Sequence, residues 1–415
     1  MNAATLKGRA AAWAMPLANE MAAFARSIIL ARLLGAEELG KTMLLALSLR
    51  LVEMASDVSV ERFMAQAPDG GSARLQANLQ GMAALRGVVL ALVMLALAWP
   101  LSALFADGPA TYSYALLALA PLLRGFLHLD YRRRERRFDY RGQVIVDGGA
   151  ALAMLANAPV LALYFGDHRA LVGVILIQTA TQVVLSHLLA ERRYRLGFER
   201  LAMLRVWAFG APLIGNAGLM FLTFQADRLI VAGWFSWAEL GLYGVALQLA
   251  LLPAQIAGRA AASLLAPAFR RAIAAGGLAR AAAPSLRFYM ALAALFLLGY
   301  GLLASPLMVA VYGADFTAEP ALIWALGLAA AIRIARTPVS QLAVALGRTA
   351  IPLRGNVLRA LAILPALAAA VFGAPLYALA LAAAAGEALA ALRAWALLKP
   401  FVTLSDAPET QEAFA

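Results

Sequence analysis

Gly35-Ala-Glu-Glu-Leu-Gly-Lys-Thr42 returns 201 residues later as Ser236-Trp-Ala-Glu-Leu-Gly-Leu-Tyr243, with Glu-Leu-Gly shared at 38–40 and 239–241. Each copy is a short polar interruption between two long apolar runs. Working outward from the two copies, apolar segments near 20 residues recur from Trp13 to Leu398. A helix of that length crosses about 30 Å of hydrocarbon. Twelve are expected, at 13–34, 42–65, 82–105, 111–129, 144–165, 170–190, 206–234, 241–268, 286–311, 319–346, 354–373 and 375–398. Alanine and leucine dominate them, so the spans are helices; a barrel would show short alternating strands. The repeated turn opens each half, which predicts an all-α polytopic membrane protein of two six-helix lobes. Six is even, so the two copies share one orientation and their pseudo-twofold axis runs along the membrane normal. The expected lobes are 1–205 and 206–400, followed by a polar cytoplasmic tail, 401–415.

Composition agrees with that reading. The 415 residues are 63% hydrophobic and 14% charged, and the mean hydropathy of +0.77 lies outside the range of soluble domains. The first apolar run continues through Arg26 to Leu34 without a small-residue cleavage site, so a retained first helix is expected rather than a signal peptide. The absence of cysteine excludes thiol chemistry. Connections between segments are too short for an extramembrane catalytic module.

A net charge of +12 could suggest nucleic acid, but its placement argues against that partner. Assigning the gaps alternately to two sides puts 21 Lys and Arg on one side, including 129–142 and 190–205, against Lys41 and Arg169 on the other. The positive-inside rule then places both termini in the cytoplasm. The basic loops set topology, with lipid head-group binding as a second role.

Charges inside the segments are the functional candidates. Arg26, Arg50, Arg259, Arg333, Arg336, Glu53, Asp57, Asp227 and Glu387 all interrupt apolar runs. A charge at the bilayer centre costs roughly 2.5–3.5 kcal/mol, so such residues face a partner or a wet cavity. Helical spacing sorts several into stripes. Arg50, Glu53, Asp57 and Glu61 stay within an arc of about 80° at 100° per residue. Asn216, Thr223 and Asp227 repeat the pattern, as do Gln248, Gln255 and Arg259, and Arg333, Arg336 and Ser340. Four such lines predict a water-filled central cavity between the lobes.

A structural alternative stands beside each stripe. Arg50 with Glu53 or Asp57 can lock helices together, and the amides can serve as interhelical glue worth about 1 kcal/mol or less. Arg62, Arg86, Arg124, Arg359 and Arg393 lie near cytoplasmic ends and are expected to snorkel. Arg333 and Arg336 have no nearby acid in sequence and invite an anionic ligand. His128, His168 and His187 lack metal-ligand spacing, no phosphate-binding glycine loop is present, and no nucleophile–base constellation can be assembled. The chain is therefore read as neither a metalloprotein nor an enzyme. Pro16, Pro121, Pro159, Pro212, Pro253, Pro338 and Pro365 permit kinks that serve gating or packing.

These residues carry a family resemblance. Phe24-Ala-Arg-Ser-Ile-Ile-Leu-Ala-Arg-Leu-Leu-Gly-Ala-Glu-Glu-Leu-Gly40 resembles the opening of polysaccharide-biosynthesis flippases in the multidrug/oligosaccharidyl-lipid/polysaccharide exporter superfamily. Asp227-Arg-Leu-Ile-Val-Ala-Gly233 with Ala238-Glu-Leu-Gly-Leu-Tyr243 resembles that family's second-half start. Tyr312-Gly-Ala-Asp-Phe316 and Ala345-Leu-Gly-Arg348 look like its later landmarks. The resemblance implies a lipid-linked oligosaccharide flippase of the bacterial inner membrane, acting on an undecaprenyl-pyrophosphate-linked repeat unit. Related peptidoglycan-precursor flippases carry an Arg-x5-Arg pair on the first helix, which Arg26 and Arg32 match, and an arginine on the second, where Arg50 stands across a shorter connection. Those relatives have two further C-terminal helices, so their absence favours the O-antigen or exopolysaccharide branch.

The expected mechanism is alternating access. Arg26, Arg32, Arg50, Arg259, Arg333 and Arg336 are the candidate substrate contacts. Asp227, Glu53 and Asp57 are candidates for proton or sodium coupling, because a carboxylate in low dielectric can cycle its protonation. Asn216, Thr223, Gln248, Gln255 and Ser340 are expected to line the cavity. No cofactor is expected. Candidate protein partners are a polysaccharide polymerase and glycosyltransferases, alongside the lipid bilayer and the lipid-linked sugar. Two rival functions share the hydropathy pattern: an ion-coupled multidrug exporter of the same superfamily, and a non-transport component of a polysaccharide-synthesis complex. The arginine surplus disfavours the first, and the polar stripes would have no purpose in the second.

Overall fold

The structure, a computed structural model, describes residues 3–54, 59–105, 108–348 and 350–404. Every regular element among them is helical. In chain order they are α1 (Ala3–Met54), α2 (Val60–Gln66), α3 (Ala73–Leu104), α4 (Thr111–Leu117), α5 (Leu119–Gly125), α6 (Asp130–Glu135), α7 (Arg141–Phe165) and α8 (Arg169–Leu188). Then follow α9 (Arg200–Trp234), α10 (Trp237–Ala274), α11 (Leu278–Tyr312), α12 (Pro320–Ala345), α13 (Ala350–Leu361), α14 (Ile363–Val371) and α15 (Leu376–Leu404), with a 3₁₀ turn at Ala314–Phe316.

Eight stretches among the described residues are long and apolar enough to cross a membrane: α3, α7, α8, α10, α11, α12, α13 with α14, and α15. The other four expected segments also fall wholly or partly within helices. Segment 13–34 and the first part of 42–65 share α1, 111–129 is divided between α4 and α5, and 206–234 lies in α9. The merger in α1 has a local cause. Gly35 takes φ 80° and ψ 178°, a conformation that glycine alone adopts without strain, and so kinks the helix. Its counterpart in the repeat, Ser236, starts α10 with a capping box to Glu239. Leu39 and Leu240, four residues further along, are both buried.

The chain divides into two compact units, Met1–Phe221 and Leu222–Ala415. In the first, α7 packs between α1 and α8, and α3 packs on α4 and α5. Small residues set these distances, because in lipid the approach of backbones and dispersion drive helix association. Gly87 on α3 meets Gly125 on α5: a Cβ at Gly87 would lie 2.7 Å from the Pro121 carbonyl oxygen and 2.8 Å from the Gly125 Cα. Gly87→Leu is therefore expected to destabilise the unit by about 1–3 kcal/mol or more, seen as a lower Tm in detergent. An unchanged Tm would contradict this packing.

In the second unit α12 is central, with α10, α11 and α15 against it, while α15 also covers α13 and α14. Its core is alanine-rich, with Ala254, Ala261, Ala293 and Ala331 around Tyr289 and Ile334. Large apolar side chains such as Trp99, Leu152, Leu163, Leu295 and Phe372 point outward. An outward apolar surface of this extent suits a lipid-facing boundary and would be a liability in water.

Candidate functional site

Arg333 and Arg336 stand three residues apart on α12, which puts them on one face of the helix. That face meets Glu387, in the middle of α15. Arg333 donates Nε to Glu387 Oε1 at 2.9 Å and approaches the same oxygen through Nη2 at 2.7 Å. Arg336 Nη2 lies 3.2 Å from Glu387 Oε2, an ion pair without hydrogen-bond alignment. A third cation, Arg359 of α13, places Nη1 at 3.1 Å from Oε1. The Glu387 side chain is only 3% exposed and that of Arg359 only 6%.

This geometry corrects two expectations. Arg333 and Arg336 are not uncompensated, because Glu387 holds both from 51 or more residues away in sequence. Arg359 does not snorkel, because α13 packs on α15 and turns its guanidinium inward. Phe224 of α9 roofs the cluster, its ring centroid 4.2 Å from the Arg359 guanidinium and 5.2 Å from that of Arg333. Such cation–π contacts contribute roughly 0.5–2 kcal/mol each. Three guanidiniums against one carboxylate still leave a surplus of two positive charges. Arg359 Nε and Nη2 are buried without a hydrogen-bond partner among the described residues.

Arg333, Arg359 and Glu387 line a cavity of about 80 Å³ within the second unit. Thr223 and Asp227 also line it, which brings two of the α9 stripe residues to the α12 stripe. Asp227 Oδ2 accepts the Tyr243 hydroxyl at 2.9 Å, and Oδ1 accepts the Arg228 amide at 2.9 Å. The remaining stripe residues stand elsewhere. Gln248 and Ser340 are half-buried, Gln255 and Arg259 are exposed, and none of the four lines this cavity. The Asn216 side chain lies outside the described residues.

In the first unit, Arg26 points Nη1 at the Met154 sulfur, 3.6 Å away, and feels the like charge of Arg50. Arg50 and Arg32 are exposed. Glu53 pairs with Arg124 at 2.6 Å, and its backbone carbonyl accepts Arg86 at 2.9 Å. Both arginines were expected to snorkel; α3 and α5 carry them to α1 instead. Asp57 lies outside the described residues. His128 and His187 each bond a backbone carbonyl, of Arg192 and Phe126 respectively. Among the described residues no group of three His, Asp or Glu could hold a metal ion.

The basic loops are more than topology markers. Arg132 is held by Glu61, Glu135 and Asp147 at 3.2, 2.9 and 3.5 Å, and Gln182 also donates to Asp147. Fully buried Asp130 pairs with Arg133 at 2.7 Å and accepts the Glu191 amide. Burial alone would raise the Asp130 carboxyl, but these partners and the charge of Arg134 outweigh it and hold it below the usual carboxylate value. Burial, with the like charges of Glu61 and Asp147, pushes the Glu135 carboxyl up. Arg136 donates to the carbonyls of Met64, Ala65, Ala67 and Pro68, closing the end of α2. Arg136→Ala is expected to cost about 1.5–3 kcal/mol and to speed proteolysis in the 67–72 turn. Lysine at this position should not restore protection, because it lacks the forked donor geometry.

Solved structures share this fold. An inward-facing multidrug resistance MATE family transporter of the MOP superfamily aligns with a TM-score of 0.70 at 13% identity, over 94% of this chain and 96% of that one. The lipid II flippase MurJ, in an inward-closed conformation, gives 0.71 at 12% identity over 94% and 89%. The eukaryotic MATE transporter AtDTX14 gives 0.58 at 14% over 97% and 99%. At these identities the likeness establishes a MATE-like transporter fold. No curated protein sequence matches the chain. The family model described as polysaccharide biosynthesis protein matches residues 29–319. That match spans well over half of the sequence, and so this multi-pass membrane protein belongs to the polysaccharide biosynthesis protein family.

Proposed function

We propose that the protein is a flippase that moves undecaprenyl-pyrophosphate-linked oligosaccharide repeat units from the cytoplasmic to the periplasmic leaflet of the bacterial inner membrane, for O-antigen or exopolysaccharide synthesis. The observation that carries this reading is the buried surplus of positive charge at Arg333, Arg336 and Arg359 beside the second unit's cavity. Each charge taken out of water costs several kcal/mol, and a net positive cluster of this kind calls for an anionic partner. Arginine forks match phosphoryl oxygens in geometry as well as charge. A pyrophosphate-linked sugar supplies two negative charges on a polar head, while its polyprenyl tail stays in lipid. Arg26, Arg32, Arg50 and Arg259 are further phosphate contacts in this account. Asp227 and Glu53 are its described candidates for proton or sodium coupling, with Asp57 as a third.

In this account two six-helix lobes, 1–205 and 206–400, alternate access to the two leaflets with both termini in the cytoplasm. A cationic drug would be repelled by the arginine surplus, which disfavours multidrug export as the activity. The test is made in cells that build a surface polymer from lipid-linked repeat units through this protein. Removing it should eliminate surface polymer and accumulate the lipid-linked unit on the cytoplasmic leaflet. Normal polymer with no accumulation would overturn the proposal.

A further inference from the structure

Glu387 carries the same sign of charge as a phosphoanion, and its carboxylate occupies the arginines that would bind one. Its two oxygens take contacts from Arg333, Arg336 and Arg359, all within 3.2 Å. Any phosphoryl group entering the cavity must share or displace those contacts. We propose that Glu387 is a resident anion of the arginine cluster: it holds the three guanidiniums together when the site is empty and weakens phosphoanion binding enough for release. The inference rests on the flippase reading for its ligand, a disubstituted pyrophosphate.

Three observations support it. The first is charge: Glu387 lowers the surplus of the three guanidiniums from three to two, and Asp227 across the cavity lowers the local balance further. Without the carboxylate the surplus would be three, and a dianion would leave slowly. The second is geometry. Arg359 keeps Nε and Nη2 buried and unpartnered among the described residues, donors that a shift of the side chain would turn to a ligand while Glu387 stays bound. The third is the surroundings. From α12 the groups facing Glu387 are Arg333 and Arg336, from α13 Arg359, and across the cavity Asp227 and Tyr243, which bond each other. A transported ligand must bind strongly enough to enter and weakly enough to leave. An acid among the arginines achieves the second requirement.

The test uses the purified full-length protein. Inorganic pyrophosphate is the binding probe, measured by calorimetry in detergent. Translocation of a polyprenyl-pyrophosphate-linked oligosaccharide is measured in proteoliposomes. Glu387→Gln keeps the side-chain shape and removes the charge. It is expected to tighten pyrophosphate binding by about tenfold or more and to slow translocation by a similar factor. Misfolding cannot produce tighter binding, so this outcome is distinct from structural damage. Should Glu387→Gln be lost from the membrane, Glu387→Asp retains the charge but draws it back from the arginines. That variant should tighten binding by a smaller factor.

Equal or weaker pyrophosphate binding in Glu387→Gln, or failure of the wild type to bind pyrophosphate, would overturn the inference. If Arg333→Ala/Arg336→Ala still loses translocation in that case, the flippase reading survives alone. Tightening in Glu387→Gln without translocation by the wild type would keep the resident anion and remove the flippase reading. Competition between the lipid-linked substrate and pyrophosphate would assign the site to the lipid head group. Its absence would assign the site to the free anion and overturn the transport role of Glu387.

Discussion

Replacing Arg333 and Arg336 together with alanine is expected to abolish surface polysaccharide while the protein remains in the membrane at its normal level. The double change removes two of the three cations around Glu387 and leaves Arg359 at 3.1 Å as a single neutral pair. Folding should therefore survive, because no buried charge is orphaned. Binding should not survive. Charge-assisted hydrogen bonds contribute about 1.5–3 kcal/mol each, so losing two costs roughly 3–6 kcal/mol, or about 10²–10⁴-fold in occupancy. Surface polymer measured by gel and protein level measured by immunoblot check the two halves of this result. Normal polymer at a normal protein level would remove the cluster from the mechanism.

Asp130→Ala is expected to produce the largest loss of stability at the loop end of the first unit, about 3–5 kcal/mol. The carboxylate is fully buried and holds Arg133 at 2.7 Å and the Glu191 amide at 3.1 Å, with Arg134 at 3.9 Å. Its removal leaves Arg133, 11% exposed, with the mostly exposed Glu191 at 3.1 Å. The same group predicts a pH dependence with a definite sign. The Asp130 carboxyl lies below its ordinary 3.8 in the folded protein. Its stabilising contribution is therefore complete above that value and is lost as pH falls from 3.8 through the depressed folded value. Thermal unfolding in detergent should show the wild type losing stability on acidification through that window, and Asp130→Asn losing less. Parallel pH profiles would contradict the assignment.

Much of the helical architecture is legible in the sequence because hydrocarbon imposes one rule: every backbone polar group must be satisfied within a helix. The stripe on α12 is legible for a related reason, since residues three apart must share a face. Its counterion is not legible. Glu387 lies 54 residues beyond Arg333 on a different helix, and nothing in local periodicity links α12 to α15. Glu53 and Arg124 repeat that difficulty across 71 residues. Arg359 shows a second limit: distance from a segment end suggests snorkelling, whereas packing of α13 on α15 decides the direction. The run Arg132-Arg133-Arg134-Glu135-Arg136-Arg137 reads as a topology signal, yet four of its arginines are fixed by acids or carbonyls from other parts of the first unit. Charge counting sees their number and misses their partners.

Movement of an anionic lipid-linked sugar across a bilayer, with the α12 arginines as contacts, can be measured directly. The most direct measurement reconstitutes the purified protein into vesicles with a polyprenyl-pyrophosphate-linked fluorescent oligosaccharide and follows its exposure to a membrane-impermeant quencher. The wild type is expected to accelerate translocation over protein-free vesicles, and Arg333→Ala/Arg336→Ala is not. A wild-type rate equal to that of empty vesicles, or equal rates for the two proteins, would contradict it.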